Sequence, residues 1–188
     1  TTNGLRNRGA SAAVHGGLLY LISEKSFFIL DVDNGRVVVR KELPFSVDVT
    51  STPLLTDKEI ILGSVKDGLI ALDNETLEIK WKFGTEDALV YTSPYFRKPA
   101  STIETSPVLA GNTVYVGASD GTIYGINKED GRLVWKHATG APVFGSVAVS
   151  GNALIAVDFG GKVYAFVGGE EGLNIITYHK VIYVCHSA

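Results

Sequence analysis

The chain has 188 residues, 45% of them hydrophobic and 20% charged, and its 17 basic and 20 acidic side chains leave a formal charge of −3. That is enough mass for one good core. The lack of a basic run argues against a nucleic-acid surface, and no apolar stretch reaches the roughly 18 residues of a membrane helix. The polar opening TTNGLRNRG is no signal peptide. With no methionine anywhere in the sequence, the expectation is that a leader has been removed.

In chain order, residues 11–39 (SAAVHGGLLYLISEKSFFILDVDNGRVVV) are the first of four related segments. The second, 51–81, reads STPLLTDKEIILGSVKDGLIALDNETLEIKW, and the third, 105–135, reads TSPVLAGNTVYVGASDGTIYGINKEDGRLVW. Pro53 aligns with Pro107, Gly63 with Gly117, Asp73 with Asn127 and Trp81 with Trp135, each pair 54 residues apart; Gly68 and Gly121 are 53 apart, a one-residue slip in a turn. The fourth segment, 146–167, is the weak copy SVAVSGNALIAVDFGGKVYAFV. Ala12 to Pro53 is 41 residues and Pro107 to Val147 is 40, so the natural period is about 40. The longer middle step holds an insertion at 87–103, DALVYTSPYFRKPASTI, whose two prolines and lack of alternation read as a surface loop. The units are therefore 11–50, 51–104, 105–145 and 146–172 of a single domain spanning 1–188. Residues 173–188 form a partial strand unit whose VIYV resembles the second strand of a fresh blade.

The third unit decodes most cleanly. Strands at 106–109, 113–117, 122–126 and 133–135 are separated by Gly111-Asn112, Asp120-Gly121 and Asp130-Gly131. Asx-Gly pairs supply the positive backbone dihedrals of tight turns, and the β-branched and aromatic residues between them suit pleated, half-buried positions. No window shows a helical apolar period. Four short hairpin-joined strands recurring every 40 or so residues predict an all-β propeller of four-stranded antiparallel blades. A β-sandwich is the rival, but it does not require the same turn and the same tryptophan in successive units. About seven or eight blades, roughly 300 residues at this period, close most rings, although four-bladed rings exist. The sequence thus reads first as part of a larger ring, second as a four-bladed ring, and third as half of an eight-bladed ring closed by two chains. Four open blades would expose apolar terminal faces and drive pairing.

The segment GINKEDGRLVW (125–135) resembles the tryptophan-docking motif of the quinoprotein-type β-propellers, built from PQQ-like repeats. ALDNETLEIKW (71–81) matches its start and end with Leu77 where the motif has Gly, and ILDVDNGRVVV (29–39) keeps the Asp and Gly with Val39 in place of Trp. The resemblance covers about 11–172 and implies that Trp81 and Trp135 lie between blades, with Gly131 permitting close approach. Asp31, Asp73 and Asn127 read as turn and strand-end hydrogen-bonding residues. Family members include dehydrogenases that hold pyrroloquinoline quinone and calcium at the centre of eight blades. Others are cofactor-free scaffolds or sensors, among them an outer-membrane assembly lipoprotein of bacteria, and the chain resembles this second kind more. That likeness favours a periplasmic or extracytoplasmic setting.

Reactive chemistry is sparse. Cys185 is alone, so an internal disulfide or CxxC pattern is excluded and a buried structural thiol is expected. His15, His137, His179 and His186 have no metal-binding spacing. Asp67-Gly68 and Asp120-Gly121 read as hairpin turns, not calcium loops. The Gly160-Gly161 and Gly168-Gly169 pairs lead into no helix that would cradle phosphate. No catalytic, cofactor-binding or metal-ligating residue is assigned, no cofactor is expected, and the framework composition favours a non-enzyme. Within the insertion, Tyr91, Tyr95, Phe96, Arg97 and Lys98 form a candidate partner-binding loop, since exposed rings and cations anchor partners. The function expected is a non-catalytic protein-interaction scaffold. The alternatives are a ligand-sensing or regulatory propeller attached to an enzyme and, behind it, part of a quinone-dependent dehydrogenase. The expected partner is a protein, either the remaining blades or a second copy of the chain.

Overall fold

The structure, a computed structural model, describes residues 11–47, 49–90, 100–169 and 172–180. All regular structure among them is β, in four sheets of four antiparallel strands, each sheet built from consecutive strands. Blade 1 comprises β1 (Ala13–His15), β2 (Leu18–Ser23), β3 (Ser26–Asp31) and β4 (Val37–Glu42). Blade 2 comprises β5 (Leu54–Leu55), β6 (Glu59–Gly63), β7 (Leu69–Asp73) and β8 (Ile79–Phe83). Blade 3 comprises β9 (Val108–Ala110), β10 (Thr113–Gly117), β11 (Thr122–Asn127) and β12 (Leu133–Ala138). Blade 4 comprises β13 (Ala148–Ser150), β14 (Ala153–Val157), β15 (Lys162–Gly169) and β16 (Gly172–Lys180). Together they form an arc of propeller blades.

The fourth unit runs further than the division at residue 172. β16 pairs with β15 along its length, from Gly169 opposite Gly172 to Lys162 opposite Lys180, so residues 172–180 complete blade 4 instead of starting a new unit. Only residues 170 and 171 separate the two strands, where blades 1 to 3 use a longer Asx turn, and the turn cue that marks the repeat is therefore missing from the sequence. The VIYV segment, Cys185 and His186 lie outside the described residues.

Those Asx turns are made the same way three times. The Asp31 carboxylate accepts the N–H groups of Asp33 and Asn34, Asp73 accepts those of Glu75 and Thr76, and the Asn127 side-chain oxygen accepts that of Glu129. In each turn the N–H four residues on, from Gly35, Leu77 or Gly131, donates to the backbone carbonyl of that same Asx residue. This last residue has a positive φ of 69°, 58° and 72° respectively. The outer strand then returns with a bulge at one fixed place in every blade, opposite Ile29/Leu30, Ala71/Leu72, Gly125/Ile126 and Ala165/Phe166. Bulges re-aim the bulged strand. The residue paired just before each is Val39, Trp81, Trp135 or Thr177.

Strand alternation gives each blade two apolar faces, and the blades bury them against one another. Phe27 and Ile29 of blade 1 meet Ile60, Leu62, Ile70 and Leu72 of blade 2. Ile61, Leu69 and Trp81 meet Val114, Val116, Tyr124 and Ile126 of blade 3. Ile123 and Trp135 meet Leu154, Tyr164 and Phe166 of blade 4. Near the inner strands a side-chain relay crosses two of these junctions: Thr52 N–H donates to Ser106 Oγ, and Ser106 N–H to Ser146 Oγ, both at 2.9 Å.

Between blades 2 and 3 the buried Trp81 lies flat on Gly131, where an added Cβ would sit 2.8 Å from ring carbons. Its indole N–H donates to the Lys128 carbonyl at 2.9 Å. Trp81→Ala is expected to lower stability by about 3–5 kcal/mol, the range for truncating a large buried ring. Gly131→Ala should lower it by about 1 kcal/mol or more, because it combines backbone strain with a clash against a packed ring. Both read as a lower urea midpoint at unchanged slope.

Candidate functional site

In every blade the second hairpin lies beside the connector between blades, so these turns and connectors share one end of the arc. Lys25 and Glu24, in the β2–β3 turn, accept from the N–H groups of Leu43 and Val47, and Phe159 in the β14–β15 turn donates its N–H to Pro142. The insertion leaves and re-enters at this end, and its stem is fixed. Ala88 N–H donates to the Ala100 carbonyl at 3.0 Å, closing the base, and Leu89 N–H to Ser119 at 2.9 Å. The returning leg bridges two blades: Ile103 N–H reaches Ser64 and Thr102 Oγ1 reaches Val65 in blade 2, while the Thr102 carbonyl accepts from Ser119 N–H in blade 3. Compact loops closed at the base in this way serve recognition on many scaffolds.

Asp120 clamps the outgoing leg. Its Oδ2 accepts Tyr124 Oη at 2.7 Å and Glu86 N–H at 3.0 Å, and its Oδ1 accepts Thr122 N–H at 2.9 Å. Burial raises its carboxyl above the ordinary range in spite of these donors. Burial also pushes the Tyr124 phenol up, and the Asp120 hydrogen bond and charge add to the shift. Blade 4 repeats the arrangement with the acid shifted two residues along the turn: buried Asp158 accepts Tyr164 Oη at 2.8 Å and Lys162 N–H at 2.9 Å. These groups hold turns together.

Several apolar side chains are exposed at this end of the arc. Leu89 is 56% exposed and Val90 43%, and Phe159, with an edge-on contact to Phe144 at 5.3 Å between centroids, is 72% exposed. Isolated exposed apolar residues are ordinary, whereas a contiguous group is not. Tyr91, Tyr95, Phe96, Arg97 and Lys98 lie outside the described residues; their anchoring positions, Val90 and Ala100, are on this end. The sequence reading missed Phe159, although a ring in the turn DFGG, where polar residues belong, was a usable signal.

Two concavities elsewhere among the described residues have less chemical definition. A cleft of about 310 Å³ at the edge of blades 2 and 3 is lined by Glu59, Lys80, Lys128 and Glu129 among others. Its charges offset, and buried Glu59 is taken up by Lys80 at 2.6 Å and Thr56 Oγ1 at 2.7 Å. A second, apolar hollow of about 180 Å³ lies between Tyr115, Leu154 and Gly168 at the third junction. Among the described residues no group of three or more His, Cys, Asp or Glu side chains is placed to hold a metal ion. No helix among them is long and apolar enough to cross a membrane. Trp135 is half-buried and packs edge-on to Phe166 at 4.9 Å, with His137 stacked beside it at 6.3 Å. Asp73 and Asn127 sit in the turns already described.

Radial four-stranded blades, tied by Asx turns and an indole laid on glycine, define a propeller of the quinoprotein-like repeat class. The family model described as outer membrane protein assembly factor BamB matches residues 2–96 and 93–174, and the chain belongs to that family. It is 26% identical over 128 residues to the uncharacterised protein RP232 of Rickettsia prowazekii, a match covering 68% of this chain and 28% of that protein. The crystal structure of BamB from Moraxella catarrhalis superposes with a TM-score of 0.65 at 18% identity, over 89% of this chain and 47% of that one. A quinohemoprotein alcohol dehydrogenase from Comamonas testosteroni gives 0.66 at 16% identity, over 92% and 35%. The chain therefore spans less than half of each of these proteins, and at such identities the two crystal structures share its fold alone.

His137, half-buried against Tyr164 and Phe166, has its pKa lowered by burial. The unfolded chain therefore takes up this proton first, near the ordinary histidine value of about 6.5. Its contribution is present in full above that value and lost as the pH falls through the lower, folded value. Thermal unfolding of the wild type from pH 8 to 5 should show a steeper loss than His137→Phe over that window; parallel curves would remove His137 from the account.

Proposed function

We propose that the chain is part of a non-catalytic propeller that acts as a protein-interaction scaffold in outer membrane protein assembly, and that it grips its partner with the hairpin end of the arc. The observation that carries this reading is the pinned insertion stem, with Leu89 and Val90 exposed on it and Phe159 exposed at the same end of the arc. A stem hydrogen-bonded to two blades holds its own side chains, Leu89 and Val90, at low ordering cost, which is what a standing docking surface needs. Family membership supplies the biological setting. The dehydrogenase reading has less support: Trp81 packs on Gly131 and Trp135 against Phe166, both at junctions between blades.

Photo-crosslinkers placed at positions 89 and 159 in cells should each yield an adduct with the same protein. Positions 34 and 129, in the outer turns at the opposite end, should yield none. Adducts from the second pair alone would move the site to that end. Phe159→Asp should weaken the interaction by about tenfold or more, as removal of an interface ring does, with little change in the unfolding midpoint. A loss of binding that only accompanies unfolding would speak against the surface.

A further inference from the structure

Two successive junctions differ at one place. At the end of the arc that carries the first hairpins, the junction of blades 2 and 3 holds the polar cleft lined by Thr56, Glu59 and Lys128, and the junction of blades 3 and 4 holds the apolar hollow. The two overlap in the frame of the repeat. Ala110 pairs with Thr113 at the end of β9 as Thr56 meets Glu59 at the end of β5. The N–H of Gly168 donates to the Asn152 carbonyl as that of Lys128 donates to the Asn112 carbonyl. Thr56 and Lys128 of the cleft are therefore Ala110 and Gly168 in the hollow. Both replacements remove bulk, and both remove a polar group.

Strand alternation sets the remaining walls. Gly168 follows Tyr164 and Phe166 on the face of β15 turned to blade 3, and Leu154 packs in the same cluster. Tyr115 closes the opposite side. Its ring lies against Gly125, its cross-strand partner, where an added Cβ would stand 2.9 Å from Cε1. It is also edge-on to Trp135, at 6.3 Å between centroids. Blades 2 and 4, which have Ile61 and Ile155 in place of the tyrosine, have Ala71 and Ala165 in place of the glycine. Burial pushes the Tyr115 phenol up, so this wall stays uncharged. Half-buried Val149 adjoins it, and exposed Asn152 stands at the rim.

We propose that this hollow is a binding site for a small molecule carrying a single aromatic ring, seated between Tyr115 and Leu154 with its polar substituent at Asn152. Size favours a ring: an apolar cavity of about 150 Å³ takes up benzene, and this one measures about 180 Å³. Chemistry favours an aromatic one. Paired rings gain beyond the area they bury, and the Tyr115 ring is already ordered by Gly125 and Trp135, which keeps the cost of binding low. The site is at the end of the arc opposite the insertion stem and does not depend on the scaffold reading, so either can fail alone.

Phenol and cyclohexanol, rings of similar size, are the probes, titrated into the full chain while the Val149 and Leu154 methyl signals are followed by NMR. Phenol should shift both signals with half-saturation on the order of 1 mM. Cyclohexanol should bind about fivefold more weakly, the factor that an aromatic pair supplies. Gly168→Leu should abolish the saturable shift. A Cβ at position 168 would meet only Asn152, at 3.6 Å and beyond, so the added side chain is accommodated. If that variant does not fold, Ala110→Thr combined with Gly168→Lys restores the residues of the previous junction and should weaken phenol binding about tenfold or more. Shifts that rise without saturating, equal binding of the two probes, or phenol binding unchanged in a folded variant would each overturn the proposal.

Discussion

Each blade is apolar on both faces, and a four-stranded sheet cannot hide either face by itself. Everything else in the molecule follows from the need to stack such sheets. Fully buried Ile60, Leu62, Ile70 and Leu72 serve one neighbour of blade 2, while Ile61, Leu69 and Trp81 serve the other. Apolar area of this kind is the dominant favourable term in folding, and here it is gained at junctions between blades. Stability is therefore distributed along the arc as a set of nearest-neighbour contacts, as in other repeat proteins. The outermost faces keep the same composition: Ile155 and Val157 on blade 4, like Val14 and Val37 on blade 1, are exposed.

Junctions with different residues are filled by exchanging volume across the gap. Where the turn offers a glycine, the facing strand fills the space with an indole. Where it offers leucine, the facing strand carries valine. Interiors pack at nearly constant density, so a change on one side must be matched on the other. Leu77 bears the strain of a left-handed backbone in order to fill its space, a cost of order 1 kcal/mol or more, and its burial offsets it.

The repeat, the all-β class and the turns were legible because each is local. Asx residues that cap turns and alternating β-branched strands announce themselves within a few positions, and residues 113–117 were placed as the structure has them. Elements whose cause is not local were harder to read. The extent of blade 4 escaped because its last hairpin dispenses with the Asx turn. Leu77, standing where the motif has glycine, packs in one cluster with Val39, and pairing across a junction is invisible along one strand. The hydrogen bonds of the insertion's stem to Ser64 and Ser119 required knowing which blades lie beside it. The clamps by Asp120 and Asp158 show the same limit, since the acid moves two positions while its tyrosine stays at the same place in the blade.

The bridging leg of the insertion has a mechanical consequence. Residues 102 and 103 are bonded to the second hairpins of blades 2 and 3 at once. A pull applied to the loop is therefore shared between two sheets and loads their strand ladders in parallel, where a loop tied to one sheet would peel that sheet away bond by bond. The loop is anchored like a rope made fast to two posts, and it can bear tension that neither blade would hold alone.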